Sequence, residues 1–264
     1  MTIVDRGTGP ALVLIPGLQG RWEYVRQAVD ALSGSFRVIT FDLCDEAAAG
    51  ADFNEEAAVS SYLDQVRMAL DQRGIDRAIL CGISFGGLIA LHFAGRYRDR
   101  TAGLILASTP GPGWHLRRRH EIYSRLPYVF GPVFLAETPL RLRRELATAL
   151  PGARARWRFA CSQLGLLFRA PLSLPRMAAR ARLISTMADP QVCERISVPT
   201  LVVTGERNLD HVVSVDGSIG YLSLIRGSRG VVLDRSGHLG SITRPAAFAA
   251  IVRDFAARPA REVA

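Results

Sequence analysis

The chain of 264 residues contains no lysine; all 33 of its basic residues are arginine. Cysteine is scarce: Cys44, Cys81, Cys161 and Cys193 are widely spaced and form no C-x-x-C pair. A chain this long needs no disulfide framework, so the four are read as structural thiols. Zinc-ligand spacing, a nucleotide-binding fingerprint and nucleic-acid motifs are also missing, and neither a metal, a cofactor nor a nucleic-acid partner is expected. Long apolar runs are absent too. The longest, over residues 79–94, is interrupted by Ser84, three glycines and His92, which argues against a membrane span. No N-terminal stretch joins a basic region to a long apolar run and a small-residue cleavage site, so a soluble, cytoplasmic protein is expected. Internal repeats and low-complexity linkers are missing as well.

What is present suits a single core. At 48% hydrophobic residues the chain can bury one, and one domain with an insertion is the simplest expectation. The net charge of +9 would suggest a polyanionic partner, were it spread evenly. It is not: residues 110–198 hold 15 arginines against 5 acids, and the remainder holds 18 against 19. With no lysine and abundant alanine and arginine, a genome-wide composition bias and a solvated face explain the excess. The same arginines would allow weak contact with an anionic membrane or an acidic partner.

Short apolar runs mark buried strands at residues 11–15, 37–41, 78–84, 103–108, 199–205 and 229–234. Helical spacing spans residues 55–72, the segment after Ser84, and residues 245–257. Strands alternating with helices imply an α/β fold, a mostly parallel sheet covered on both faces. The alternation stops for residues 110–196, read as a helical insertion between core segments 1–109 and 197–264. Pro127, Pro132 and Pro139 are taken there as breakers separating several short helices. Its apolar stretches at 126–136 and 159–168 would either line an acyl pocket or pack down on the core.

Between an apolar strand and a helical pattern stands Gly82-Ile83-Ser84-Phe85-Gly86, which is G-x-S-x-G. A serine raised on so tight a turn leaves no room for side chains two positions to either side, which explains both glycines. The turn also aims the N-terminus of the next helix at the serine, favouring a developing negative charge.

GISFGG, the PGLQG turn at residues 16–20, TGERNLDHVV after a late strand and SGHLG at residues 236–240 together resemble the α/β-hydrolase superfamily, in motif order. The resemblance covers residues 8–110 and 197–258. It implies the α/β-hydrolase fold with a cap inserted after the sixth-strand region, and a serine-nucleophile, esterase-like branch. Ser84 is then the nucleophile and His238 the base; His92, His115 and His120 are read as structural. The orienting acid is expected three residues beyond Gly205, where this chain has Asn208. Asp210, two residues later and followed by HVVSV, is the expected acid, with Glu206 as the fallback. The resemblance assigns the oxyanion hole to the backbone N–H groups of Phe85 and Leu18.

A cofactor-free serine hydrolase acting on a small hydrophobic carboxylic ester through a Ser84 acyl-enzyme is therefore expected. A lyase, C–C hydrolase or perhydrolase on the same triad, and a non-catalytic ligand-binding member of the fold, stay open. Relatives usually have a strand before the hairpin that leads into residues 11–15; only Met1 to Arg6 precede GTGP, so either an edge strand is missing or the start is placed late.

Overall fold

The computed structural model describes residues 1–257. Seven strands form one sheet: β1 (Ile3–Arg6), β2 (Ala11–Ile15), β3 (Arg37–Phe41), β4 (Ala78–Ile83), β5 (Thr101–Ala107), β6 (Thr200–Thr204) and β7 (Arg229–Val232). Their spatial order is β1-β3-β2-β4-β5-β6-β7, parallel except for β1, which runs antiparallel to β3 with Ile3 opposite Phe41. Ile3–Arg6 forms one edge of the sheet, held by ladder bonds to β3 and by the Arg37–Asp5 ion pair.

The helices are α1 (Arg26–Leu32), α2 (Ala58–Gln72), α3 (Phe85–Arg96), α4 (Arg118–Arg125), α5 (Pro127–Ala149), α6 (Ala153–Arg169), α7 (Leu174–Met187), α8 (Val215–Ile219), α9 (Tyr221–Leu224), α10 (Gly240–Thr243) and α11 (Pro245–Ala256). Alternate residues of β2 show how the sheet is clothed. Val13 and Ile15 enter a core shared with Tyr62 and Val66 of α2 and with Leu88 and Phe93 of α3. Leu12 and Leu14 enter a second core, with Val29 and Leu32 of α1 and Phe248 and Val252 of α11. Because both faces are covered, β4 is buried throughout, as a continuous apolar run in a parallel sheet requires.

The chain leaves the sheet after β5, the fifth strand in its own count, and returns at β6, passing through α4 to α7. Only the last of these helices joins the core, through Ile184 and Met187. Two expectations about this segment are corrected. Pro132 and Pro139 do not separate short helices; both lie inside the 23-residue α5, and Pro127 opens it. Proline at a helix start costs nothing, and the carbonyls that interior prolines free can be hydrated on a helix this open to solvent. Nor do the apolar stretches pack on the core: Tyr128, Val129, Val133, Leu164 and Phe168 are exposed, and α6 buries no residue.

Among the described residues no helix is long and apolar enough to cross a membrane. Backbone packs closely where β4 turns into α3. A Cβ added at Gly82 would sit 2.2 Å from the Gly86 carbonyl oxygen, and one at Gly86 would sit 2.3 Å from that of Ile15. Gly82→Ala should therefore lower stability by roughly 3 kcal/mol or more in urea denaturation. Gly34→Ala, whose nearest neighbour would be 3.6 Å away, should stay within about 0.5 kcal/mol of the parent.

Candidate active site

Ser84 occupies the bend between β4 and α3 with φ +55° and ψ −119°, a conformation that a residue with a side chain adopts only under constraint. The constraint is visible. The Ser84 N–H donates to the Ala107 carbonyl of β5, and its carbonyl accepts from Gly87 N. The bend stands the side chain at the carboxyl end of the sheet beside the first turn of α3, whose opening N–H groups, Phe85 first, have no helical partner. Gly17 closes the other side: a Cβ there would lie 3.4 Å from the Ser84 Cβ. The turn Pro16-Gly17-Leu18 is thus pressed against the serine.

His238 lies in the loop between β7 and α10, and Asp210 in the loop after β6. Glycine contacts join these loops. A Cβ at Gly237 would meet the Leu209 and Asp210 backbone at 2.6 and 2.8 Å, and one at Gly205 would meet Gly237 Cα at 2.5 Å. Asp210 Oδ1 accepts from the Val212 and Val213 amides at 3.0 and 2.9 Å, which leaves Oδ2 turned toward His238 Nδ1, 3.4 Å away. That separation is an ion-pair distance, long for a hydrogen bond, and Nδ1 has no other partner among the described residues. Burial alone would raise the Asp210 pKa, but the charge of His238, helped by the two amides, holds it below the usual carboxylate range. Burial alone would lower the His238 pKa; Asp210, and beyond it the charge of Glu145, raise it instead. Glu206 is engaged elsewhere, its Oε1 accepting from Arg235 N at 2.6 Å.

The other histidines sit apart from this pair in their bonding. His92 Nε2 bonds the Met187 carbonyl at 2.9 Å, and burial lowers its pKa. His120 packs against Tyr123 and Phe134, and His115 Nδ1 faces the Gly113 carbonyl. Among the described residues no three His, Cys, Asp or Glu side chains gather as a metal ion would need.

Two buried charges from the inserted helices reach this region, and the sequence reading missed both. Arg180 of α7 is fully buried. Its guanidinium forks onto Asp45 at 2.7 and 2.9 Å, bonds Glu46 at 2.6 Å, and donates to the Leu18 carbonyl at 2.8 Å. It also fills the space beside Gly20, whose φ of +75° and lack of a Cβ make room for it. The loop that carries Leu18 is therefore clamped by a side chain from the insertion. The signal was present in the sequence, since Arg180 lies on the same stripe of α7 as the buried Met177, Ile184 and Met187.

Glu145 of α5 is likewise fully buried, and its Oε1 accepts from Leu239 N at 2.6 Å, one residue beyond the histidine. Its Oε2 has no partner among the described residues, and burial raises its pKa against the opposing pull of the Gly237 and Leu239 amides and of His238. Arg235 ties the same loop to α5 a second time, donating to the Thr148 carbonyl at 3.1 Å. An open cleft of about 370 Å³ lies beside Asp210, but its lining of Arg117, Arg207, His211 and Asp216 is polar.

A doubly covered, mostly parallel sheet, with a serine on a left-handed bend and a histidine–aspartate pair on adjoining loops, defines an α/β-hydrolase fold. The chain belongs to the alpha/beta hydrolase family, whose sequence model matches residues 12–257, and it is an enzyme of that family, a hydrolase. It is 28% identical over 258 residues to the pimeloyl-[acyl-carrier protein] methyl ester esterase of Vibrio cholerae, covering 96% of both chains. It is 27% identical over 273 residues to the 2-hydroxymuconate semialdehyde hydrolase of a Pseudomonas species, covering 96% of this chain and 89% of that one. In structure it superposes on the enol-lactonase of Burkholderia xenovorans LB400 with a TM-score of 0.74 at 22% identity, covering 97% and 96% of the two chains.

Removing Arg180 would strand buried Asp45 and leave buried Glu46 only its contact with Arg176, at 3.2 Å. Arg180→Met should cost about 3–5 kcal/mol in urea denaturation. Arg180→Lys should recover only part of it, because a single ammonium cannot fork onto Asp45 while also bonding Glu46 and the Leu18 carbonyl.

Proposed function

We propose that the chain is a serine hydrolase that cleaves a hydrophobic carboxylic ester, without a cofactor, through an acyl-enzyme on Ser84. The observation that carries the reading is the strained serine at the N-terminus of α3, in a molecule where a buried carboxylate is aimed at the only histidine between β7 and α10. A free serine hydroxyl is a poor nucleophile at neutral pH, and strain is kept at a bend only where the surroundings impose it.

In this reading neutral His238 takes the Ser84 proton as Oγ bonds to the acyl carbon. The tetrahedral oxyanion is held by the N–H groups of Phe85 and Leu18. His238 then passes the proton to the departing alkoxide, which leaves as an alcohol. Water, deprotonated by His238, attacks the acyl-enzyme and releases the acid and free Ser84. Asp210 keeps the imidazole in the tautomer that presents Nε2 to the serine, and stabilises the imidazolium. A relative named for a methyl ester and a structural neighbour named for an enol-lactone support an ester-type acyl bond.

The test is a series of p-nitrophenyl esters of rising acyl length, with water as the only acceptor. Wild type should turn them over, and product analysis should return the free acid. Ser84→Ala should lower kcat by about 10⁵-fold or more, and Asp210→Asn by roughly 10³- to 10⁴-fold with KM little changed. Full activity in Ser84→Ala would refute the proposal.

A further inference from the structure

The helix α6 is seventeen residues long, yet none of them is buried. Its sequence is nevertheless strongly sided. Ala153, Trp157, Ala160, Cys161, Leu164 and Phe168 follow helical spacing along one face, and that face points to solvent: Trp157 is 69% exposed, Leu164 58% and Phe168 81%. The opposite side of the helix is the less exposed one, with Phe159, Gln163 and Leu166 half-buried. A large exposed apolar stripe in water is unfavourable and marks a surface that something covers.

Charge indicates what covers it. Beside the stripe stand Arg154, Arg158 and Arg169, all exposed, and α6 contains no acid. Among the described residues, none of these three forms an ion pair, whereas Arg119, Arg125 and Arg141 on α4 and α5 are each matched with a glutamate. A second copy of the chain stacked on this face about a twofold axis would set arginine against arginine with no carboxylate between them. An uncharged surface would leave the arginines idle. An interface that offers hydrocarbon beneath a negatively charged layer satisfies both features, and Trp, Phe and Leu with flanking arginines are the residues that suit its depth.

We propose that α6 lies in the surface of an anionic phospholipid bilayer, its Trp157–Leu164–Phe168 stripe among the upper acyl carbons and its unpaired arginines at the headgroups. The helix lies in the plane of the surface and does not cross it. This inference rests on α6 alone and is independent of the chemistry proposed for Ser84.

The full chain should float with vesicles of phosphatidylcholine containing phosphatidylglycerol, and not with phosphatidylcholine alone, and added salt should weaken the binding. Trp157 emission should shift to the blue on binding, with the shift lost in Trp157→Phe while Trp22 and Trp114 remain. Leu164→Glu should weaken partitioning by about 10-fold or more, and the triple change of Arg154, Arg158 and Arg169 to Gln by on the order of 100-fold. All four of those side chains are exposed, so the unfolding midpoints of the variants should match the parent. Equal binding to both kinds of vesicle, binding to neither, or unimpaired binding by Leu164→Glu would overturn the proposal. So would light scattering that shows a dimer in solution which Leu164→Glu dissociates, since the stripe would then be covered by a second copy.

Discussion

One backbone bend governs the arrangement of this molecule: Ser84 is held at φ +55° by close backbone packing around the turn. A Cβ at Gly82 would collide with the Gly86 carbonyl, one at Gly86 would collide with the carbonyls of Ile15 and Pro16, and the serine N–H is tied to β5. Left-handed backbone at a residue with a side chain costs on the order of 1–3 kcal/mol, so the sheet and α3 must supply that energy. They do so through β4, which is buried along its whole length between two apolar cores. The strain is bearable because the scaffold around it is among the best-packed parts of the molecule.

Charges that cross from the inserted helices anchor the loops that carry Leu18 and His238. Arg180 reaches from α7 to the Leu18 carbonyl, and Glu145 reaches from α5 to the Leu239 amide. Buried charges are costly unless paired; Arg180 is paired with Asp45 and Glu46, whereas Glu145 is met by the Leu239 amide. The insertion therefore does more than cover the sheet. Its position is coupled to the loop proposed to bind the oxyanion and to the loop that carries His238, through contacts that no apolar packing could supply.

Much of this was legible in the sequence, for physical reasons that also explain the failures. Buried parallel strands must be continuous apolar runs, so β2 to β6 could be read nearly to the residue. The glycine spacing around Ser84 announced the bend, since only a close approach of backbone to backbone demands both glycines. Asp210 was reached by following the segment after β6 past Asn208, and its carboxylate stands beside His238. β1 escaped because four residues of mixed polarity at an edge carry no periodic signal. Pro132 and Pro139 misled because a proline argues for a break only where its freed carbonyls would be buried. Arg180 and Glu145 escaped because a charged side chain is read as solvent-facing by default, and only the tertiary fold supplied the partners that bring these two inside. The exposed stripe of α6 escaped for the converse reason: apolar spacing on a helix is read as a core face, and this helix turns that face outward.

The central claim is that His238, held by Asp210, governs the reactivity of Ser84. The direct measurement is the rate of covalent labelling by a fluorophosphonate across pH, with the modified residue identified by peptide mass spectrometry. Only the neutral imidazole can accept the serine proton. Because Asp210 raises the His238 pKa above its ordinary value of 6.5, labelling of Ser84 should be lost as pH falls through a midpoint above 6.5. Asp210→Asn should move that midpoint down, since burial alone favours the neutral ring. Labelling at a residue other than Ser84, or labelling of Ser84 that is indifferent to pH and to His238→Ala, would contradict the account.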